Sequence, residues 1–134
     1  MITTLIIEDD KKFRVLFKRL LERKFNCEIV EVESVKQAIE LISNTKPNII
    51  FLDLNLPEMN GNVLIEKCKE LDCNIPVVVI SNNDERETVE KIIRMGVADY
   101  ILKTKFVTQM EDRIEQIFKK TGIIKRRLGY TIEF

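Results

Sequence analysis

The sequence predicts an α/β fold built on a parallel sheet. Three observations carry that reading: stretches rich in β-branched residues alternate with stretches of helical period, the alternation repeats five times, and two of the strand candidates are apolar without interruption. The first strand is read at Leu5 to Glu8, and Phe13, Leu16, Phe17, Leu20 and Leu21 then recur at helical spacing. The second strand runs from Glu28 to Val32. Val35, Ala38, Ile39 and Ile42 mark the helix after it, which Ser34 and Gln37 open as a capping box. The third strand, Ile49 to Asp53, and the fourth, Val77 to Ser81, are the uninterrupted ones, as strands covered by helices on both faces must be. Val63 to Leu71 makes the helix between them. A fourth helix, roughly Glu85 to Met95, leads to a fifth strand, Tyr100 to Lys103, and a fifth helix, Val107 to Lys119. Gly61, Gly96 and Gly122 stand near helix ends as punctuation.

Composition narrows the function. With 134 residues, 45% hydrophobic and 33% charged, the chain suits one soluble globular domain. Its 22 basic residues balance 22 acidic ones, so no overall field draws it to nucleic acid or anionic lipid. Cys27, Cys68 and Cys73 form no CxxC pair and suit free thiols in a reducing cytosol. Met1 to Ile7 lacks a basic leader and meets Glu8 too soon for a secretory segment, and no apolar run approaches membrane-spanning length, so a cytoplasmic location is expected. The chain has no histidine, which leaves any phosphate chemistry to carboxylates.

In open parallel sheets, ligands bind beyond the carboxyl ends of the strands. Those ends carry Glu8, Asp9 and Asp10 after the first strand, Asp53 at the third, Ser81 and Asn82 at the fourth and Lys103 at the fifth. Separately, each has an ordinary reading: Asp10 suits the cap of the first helix, Ser81 a turn hydroxyl, Lys103 a solvated charge. Asp53 is harder to set aside, because a bare carboxylate ending so apolar a strand is desolvated and needs partners. If the fold brings Asp9 and Asp53 within about 4 Å, their repulsion is on the order of 4 kcal/mol at an effective dielectric near 20. A raised pKa on one of them would relieve it, a hard divalent cation does so more completely, and an all-oxygen cluster suits magnesium rather than zinc. Lys103 adds a further positive charge.

This arrangement resembles the receiver domains of two-component response regulators, over roughly residues 3 to 120. Four motifs carry the resemblance: Ile6-Ile7-Glu8-Asp9-Asp10; Phe51 to Gly61, in which Asp53 is followed by Pro57 and Gly61; Val78-Val79-Ile80-Ser81; and Gly96-Val97-Ala98-Asp99-Tyr100-Ile101-Leu102-Lys103. The resemblance implies a flavodoxin-like, doubly wound sheet of five parallel strands in the order 2-1-3-4-5, flanked by five helices. It makes Asp53 the phosphoacceptor, loaded by a sensor histidine kinase or a phosphotransfer protein. Asp9 becomes a direct magnesium ligand, Glu8 a ligand through water, and Asn55 a ligand through its backbone carbonyl. Ser81 and Lys103 would contact phosphoryl oxygens, and Tyr100 matches the aromatic switch position. Signalling would proceed through the fourth helix, fifth strand and fifth helix. Their charges, Glu85, Arg86, Glu87, Glu90, Lys91 and Arg94 with Glu111, Asp112, Arg113 and Glu115, would complement one another in a two-fold homodimer.

Two positions depart from the family pattern. Asn82 stands where a small residue is usual, which bears on access to the phosphoryl group, and Thr104 follows Lys103 where many members have proline, so a trans bond is expected there. Two rival readings stay open. A haloacid dehalogenase-like phosphatase also uses an aspartyl nucleophile, but needs a second aspartate where this chain has Asn55. A pseudo-receiver would signal without phosphate, with Asn82 as its best argument. The expected organisation is a receiver over residues 1–121 and an extension over residues 122–134, in which Lys125 to Arg127 is basic and Tyr130 to Phe134 alternates like a strand. That extension is read as a solvated end, a segment pairing with another chain, or the start of a linker to an effector domain.

Overall fold

The structure, a computed structural model, describes residues 2–56, 60–71, 74–122, 124–127 and 130–133, with side chains described except at 105–108, 124–127 and 130–133. Five strands and five helices alternate: β1 (Ile2–Ile7), α1 (Lys11–Lys24), β2 (Cys27–Val32), α2 (Val35–Thr45), β3 (Ile49–Leu52), α3 (Asn62–Glu70), β4 (Val77–Ser81), α4 (Arg86–Arg94), β5 (Asp99–Leu102) and α5 (Phe106–Lys120). The strands form one parallel sheet in the order β2-β1-β3-β4-β5, as the resemblance implies.

The two-residue period of a strand divides the core into two layers. Ile6, Ile49, Phe51, Val78, Ile80 and Ile101 share one cluster with Phe17, Leu20 and Leu21 of α1 and Met110, Ile114 and Phe118 of α5. Leu5, Ile7, Ile50, Leu52, Val77 and Val79 share the other with Ala38 and Ile42 of α2, Leu64 and Cys68 of α3 and Ile92 of α4. Because both faces are covered, β3 and β4 are buried at every position, which is the origin of their unbroken apolar sequence.

Three local features differ from the sequence reading. The first strand starts at Ile2 rather than Leu5, since Thr3 and Thr4 extend the ladder with β2 despite their polarity, and Thr4 is fully buried. Leu16 is 53% exposed although it fits the apolar repeat of α1; Phe17, Leu20 and Leu21 supply the buried stripe. Helix α2 ends on Lys46 in the left-handed region, at φ 47°, whereas Gly96 and Gly122 take that role after α4 and α5. At the tail, β6 (Ile124–Arg127) and β7 (Tyr130–Glu133) pair antiparallel with each other as a hairpin. Phe134 lies outside the described residues, as do Pro57, Glu58 and Met59 of the motif after Asp53. Among the described residues, no helix is long and apolar enough to cross a membrane.

Candidate functional site

The order of the sheet puts the carboxyl ends of β1 and β3 side by side, with Ile7 paired to Leu52, so the residues that follow, Glu8 and Asp53, emerge as neighbours. The ladder continues one step further: Asp53 N–H donates to the Ile7 carbonyl at 3.0 Å, and Glu8 N–H to the Val32 carbonyl at 3.1 Å. Both carboxylates are therefore held by strand geometry and buried, Glu8 at 3% and Asp53 at 6% exposure.

Lys103 follows β5 in a short 3-10 turn, Lys103–Lys105, and its side chain lies across β4 toward that pair. Its ammonium stands 2.5 Å from Glu8 Oε1 and 3.3 Å from Asp53 Oδ2. Asp9, exposed at the mouth, completes a set in which carboxylate oxygens of Glu8, Asp9 and Asp53 all lie within 4.8 Å of one another. Three carboxylates meet one ammonium. Burial, reinforced by the hydrogen bond with Asp53 and opposed by Lys103, pushes the Glu8 carboxyl up to about 8. For Lys103, burial acts to lower the ammonium's pKa, but the Glu8 and Asp53 carboxylates outweigh it and the net shift is upward.

The surrounding loops hold this cluster. Asp10 caps α1, its Oδ1 accepting from Lys12 N–H and Phe13 N–H at 3.0 and 3.2 Å, while its own N–H donates to Glu8 Oε2 at 3.3 Å. Asn55 N–H donates to Asp53 Oδ1 at 3.1 Å, and Asn55 forms a bridge with Asn60 that closes the loop after β3. Gly61 lies so close beneath that loop that a Cβ there would be 2.6 Å from the Asp53 carbonyl oxygen and 3.0 Å from Leu54 Cα. This glycine answers to close approach; its φ, −60°, is open to any residue.

Ser81 and Tyr100 interact through their side chains and are also bridged by a third residue. Ser81 Oγ, fully buried, accepts from Asn83 N–H at 3.1 Å, and the Tyr100 hydroxyl donates to the Asn83 carbonyl at 2.6 Å. The Tyr100 ring is buried, and desolvation raises the pKa of its phenol. Asn82, which follows Ser81 in the chain, is exposed. No peptide bond among the described residues is cis, Lys103–Thr104 included.

Glu8, Asp9, Asp53, Asn55, Ser81 and Lys103 lie at the carboxyl edge of the sheet, and Tyr100 lies within β5, opposite Val79. Glu8, Asp9, Asp53 and Lys103 come together directly, and Asn55 touches Asp53 through its backbone. Sequence reasoning missed Asn83, which joins Ser81 to Tyr100 by backbone atoms that no side-chain pattern reveals. It also missed Phe13, whose ring centroid is 4.7 Å from Lys103 Nζ. Arg14 is a third: it donates to the Glu8 carbonyl at 2.7 Å and pairs with Glu31 and Glu33. Several charges expected on the signalling face are engaged within the chain. Arg113 holds Asp99 at 2.7 Å and the Tyr100 carbonyl at 3.0 Å, Arg86 pairs with Glu90, Glu115 with Lys119, and Glu111 with Arg23 of α1.

Residues 4–115 match the family model described as the response regulator receiver domain. The chain is 33% identical over 129 residues to histidine kinase P4 of Formosa agariphila, covering 95% of this chain and 9% of that protein. It is 30% identical over 122 residues to the phosphate regulon transcriptional regulatory protein PhoB of Pseudomonas aeruginosa, covering 90% of this chain and 53% of that one. The chain thus spans about half or less of these relatives. Among solved structures, the signal receiver domain of a Luxo repressor protein from Vibrio parahaemolyticus superposes with a TM-score of 0.83 at 23% identity, covering 90% of this chain and 92% of its own. The Mn(2+)-bound form of response regulator Rcp1 does so with a TM-score of 0.77 at 23% identity, covering 89% and 93%.

Proposed function

Because the chain belongs to the response regulator receiver domain family, we propose that it accepts a phosphoryl group on Asp53 from a sensor histidine kinase or phosphotransfer protein and changes conformation to signal. The observation that carries this reading is the position of Lys103, whose ammonium reaches a buried carboxylate at the end of the third strand beside two further acidic groups.

The three carboxylates fit a hard divalent cation: the donors are all oxygen, they converge within 4.8 Å, and one ammonium does not balance them. Glu8, Asp9 and Asp53, with the Asn55 carbonyl, would hold Mg2+, which when bound supplies charge stabilisation to the phosphoryl oxygens. The rest falls to the chain. An Asp53 carboxylate oxygen attacks phosphorus, a P–O bond forms, and the P–N bond of a phosphohistidine or the P–O bond of an acyl phosphate breaks. The leaving group takes the electron pair. Lys103 pairs with the oxygens of the transferred group, and Ser81 donates its hydroxyl to them. Asn55 N–H orients the attacking carboxylate. No histidine is needed, because the leaving group is already good. Hydrolysis of the same acyl phosphate would reset the domain, so its catalysis is confined to its own modification. We assign the receiver to residues 1–121, with 122–134 as an extension, and place it in the cytoplasm.

The test is intact-protein mass spectrometry after incubation with acetyl phosphate and Mg2+. One phosphoryl adduct is expected on the native chain and none on Asp53→Asn; an adduct of equal yield on that variant contradicts the reading, and rapid turnover of donor without an adduct favours a phosphatase.

A further inference from the structure

We propose that Phe13 is a positioning residue for Lys103, its ring serving as a fixed seat on which the ammonium stays whether or not the carboxylates are otherwise occupied. The proposal rests on Lys103 acting in the phosphoryl transfer described above.

Four contacts close a ring around the site. Lys103 Nζ meets Glu8 Oε1 at 2.5 Å; Glu8 Oε2 accepts from Asp10 N–H at 3.3 Å; Asp10 Oδ1 accepts from Phe13 N–H at 3.2 Å; and the centroid of the Phe13 ring is 4.7 Å from Lys103 Nζ. The cap that starts α1 thereby sets where the ring stands. Phe13 is also buttressed from below. It stacks on Phe17 at 6.1 Å with 14° between planes, and Phe17 meets the edge of Phe51 in β3 at 4.8 Å and 74°. Phe51 is in the strand that leads into Asp53, so ring, lysine and acceptor are tied to one packed column.

The carboxylate contacts of Lys103 are the ones a cation competes for. Once Glu8 and Asp53 face a divalent ion, their hold on the ammonium weakens, and a flexible four-carbon side chain would gain freedom to leave a pocket where it is now 11% exposed. An aromatic face is not a ligand for a hard cation and keeps attracting the ammonium through its quadrupole, more strongly in a desolvated setting. Phe13 therefore preserves the geometry of Lys103 for the moment when charge develops on the phosphoryl oxygens, which is when a preorganised cation counts most.

Phe13→Leu keeps an apolar side chain of similar reach and removes the π face; Phe13→Tyr keeps the face. In the full chain, the ring current of Phe13 is expected to shift the ε-methylene protons of Lys103 upfield in carbon-resolved NMR spectra, with and without Mg2+, and Phe13→Leu to abolish the shift. With acetyl phosphate and Mg2+, adduct formation should slow about tenfold in Phe13→Leu, the size expected of a desolvated cation–π contact, while Mg2+ affinity stays unchanged. Phe13→Tyr should restore both readouts. Unshifted Lys103 signals in the native chain, native labelling rates in Phe13→Leu, or failure of Phe13→Tyr to rescue would each overturn the proposal. If the native chain takes up no phosphoryl group, the proposed function falls, and the Lys103 shift still decides whether Phe13 seats the lysine.

Discussion

Lys103 stands nearer to Glu8 than to Asp53: its Nζ lies 2.5 Å from Glu8 Oε1 and 3.3 Å from Asp53 Oδ2. The ammonium is thus engaged chiefly by a residue expected to serve the cation, and uptake of Mg2+ would compete for that carboxylate. Lysine and metal are in this sense alternating partners of one carboxylate.

A pH dependence follows from the same pair. Burial, with the hydrogen bond to Asp53, lifts the Glu8 carboxyl from 4.5 to about 8, so the free site keeps a proton through neutrality. A cation needs the carboxylate, so its binding expels that proton, and affinity for Mg2+ should climb as pH rises through neutrality and level off above about 8. Stability has the opposite sign. A raised folded pKa contributes stability that is full below 4.5 and fades as pH rises through about 8, so the metal-free protein should weaken across that window. Mg2+ titrations followed by amide shifts at several pH values, with urea denaturation alongside, check both; flat profiles would contradict them.

Gly61 offers a prediction on stability. A methyl group there would meet backbone atoms, 2.6 Å from the Asp53 carbonyl oxygen and 3.0 Å from Leu54 Cα, and neither can rotate away. Gly61→Ala should cost about 1–3 kcal/mol, as overpacking does, and displace the loop that carries Asn55. An unchanged urea midpoint, with unchanged amide shifts at Asp53 and Asn55, would show that the loop yields freely.

How much of this was legible in the sequence depends on the distance over which each feature acts. Strand identity is local, so β3 and β4 could be read from unbroken apolar runs, and the site from residues placed just past strand ends. Leu16 shows the limit of periodicity, because a helical repeat defines a stripe without fixing its edge, and the packing partner decides which margin is buried. Thr3 and Thr4 concealed the start of β1, since polarity argued against a strand that its two neighbours impose. The pairing of Phe13 with Lys103, and of Arg113 with Asp99, joins residues far apart in the chain, which no local pattern encodes.

Asn82, exposed after β4, is expected to bear on the lifetime of a phosphoryl group on Asp53. If its side chain screens the phosphoryl group from water or from small donors, Asn82→Ala should accelerate labelling by acetyl phosphate, loss of the label, or both. Time courses by mass spectrometry measure each rate. Identical rates in the two proteins would place the screening elsewhere.

Asn83 is placed to link the proposed chemistry to the surface. Its N–H and carbonyl connect Ser81 Oγ with the Tyr100 hydroxyl, so a phosphoryl group that recruits the Ser81 hydroxyl would disturb the bond on which Tyr100 rests. Tyr100→Phe should cost on the order of 1 kcal/mol, the usual net worth of one such hydrogen bond. It should also shrink the amide shifts that beryllofluoride with Mg2+ induces in α4, β5 and α5 of the native chain. Shifts confined to the pocket in the native protein, or undiminished ones in Tyr100→Phe, would break this link. Light scattering under the same conditions tests the homodimer.

The most direct measurement concerns the acceptor itself. Borohydride reduces an acyl phosphate to the alcohol, so treatment of the labelled protein followed by peptide sequencing by mass spectrometry marks the residue that carried the phosphoryl group. Conversion of Asp53 to homoserine, with Glu8 and Asp9 intact, is the predicted result; reduction at Asp9 or another carboxylate, with Asp53 unchanged, would contradict the account.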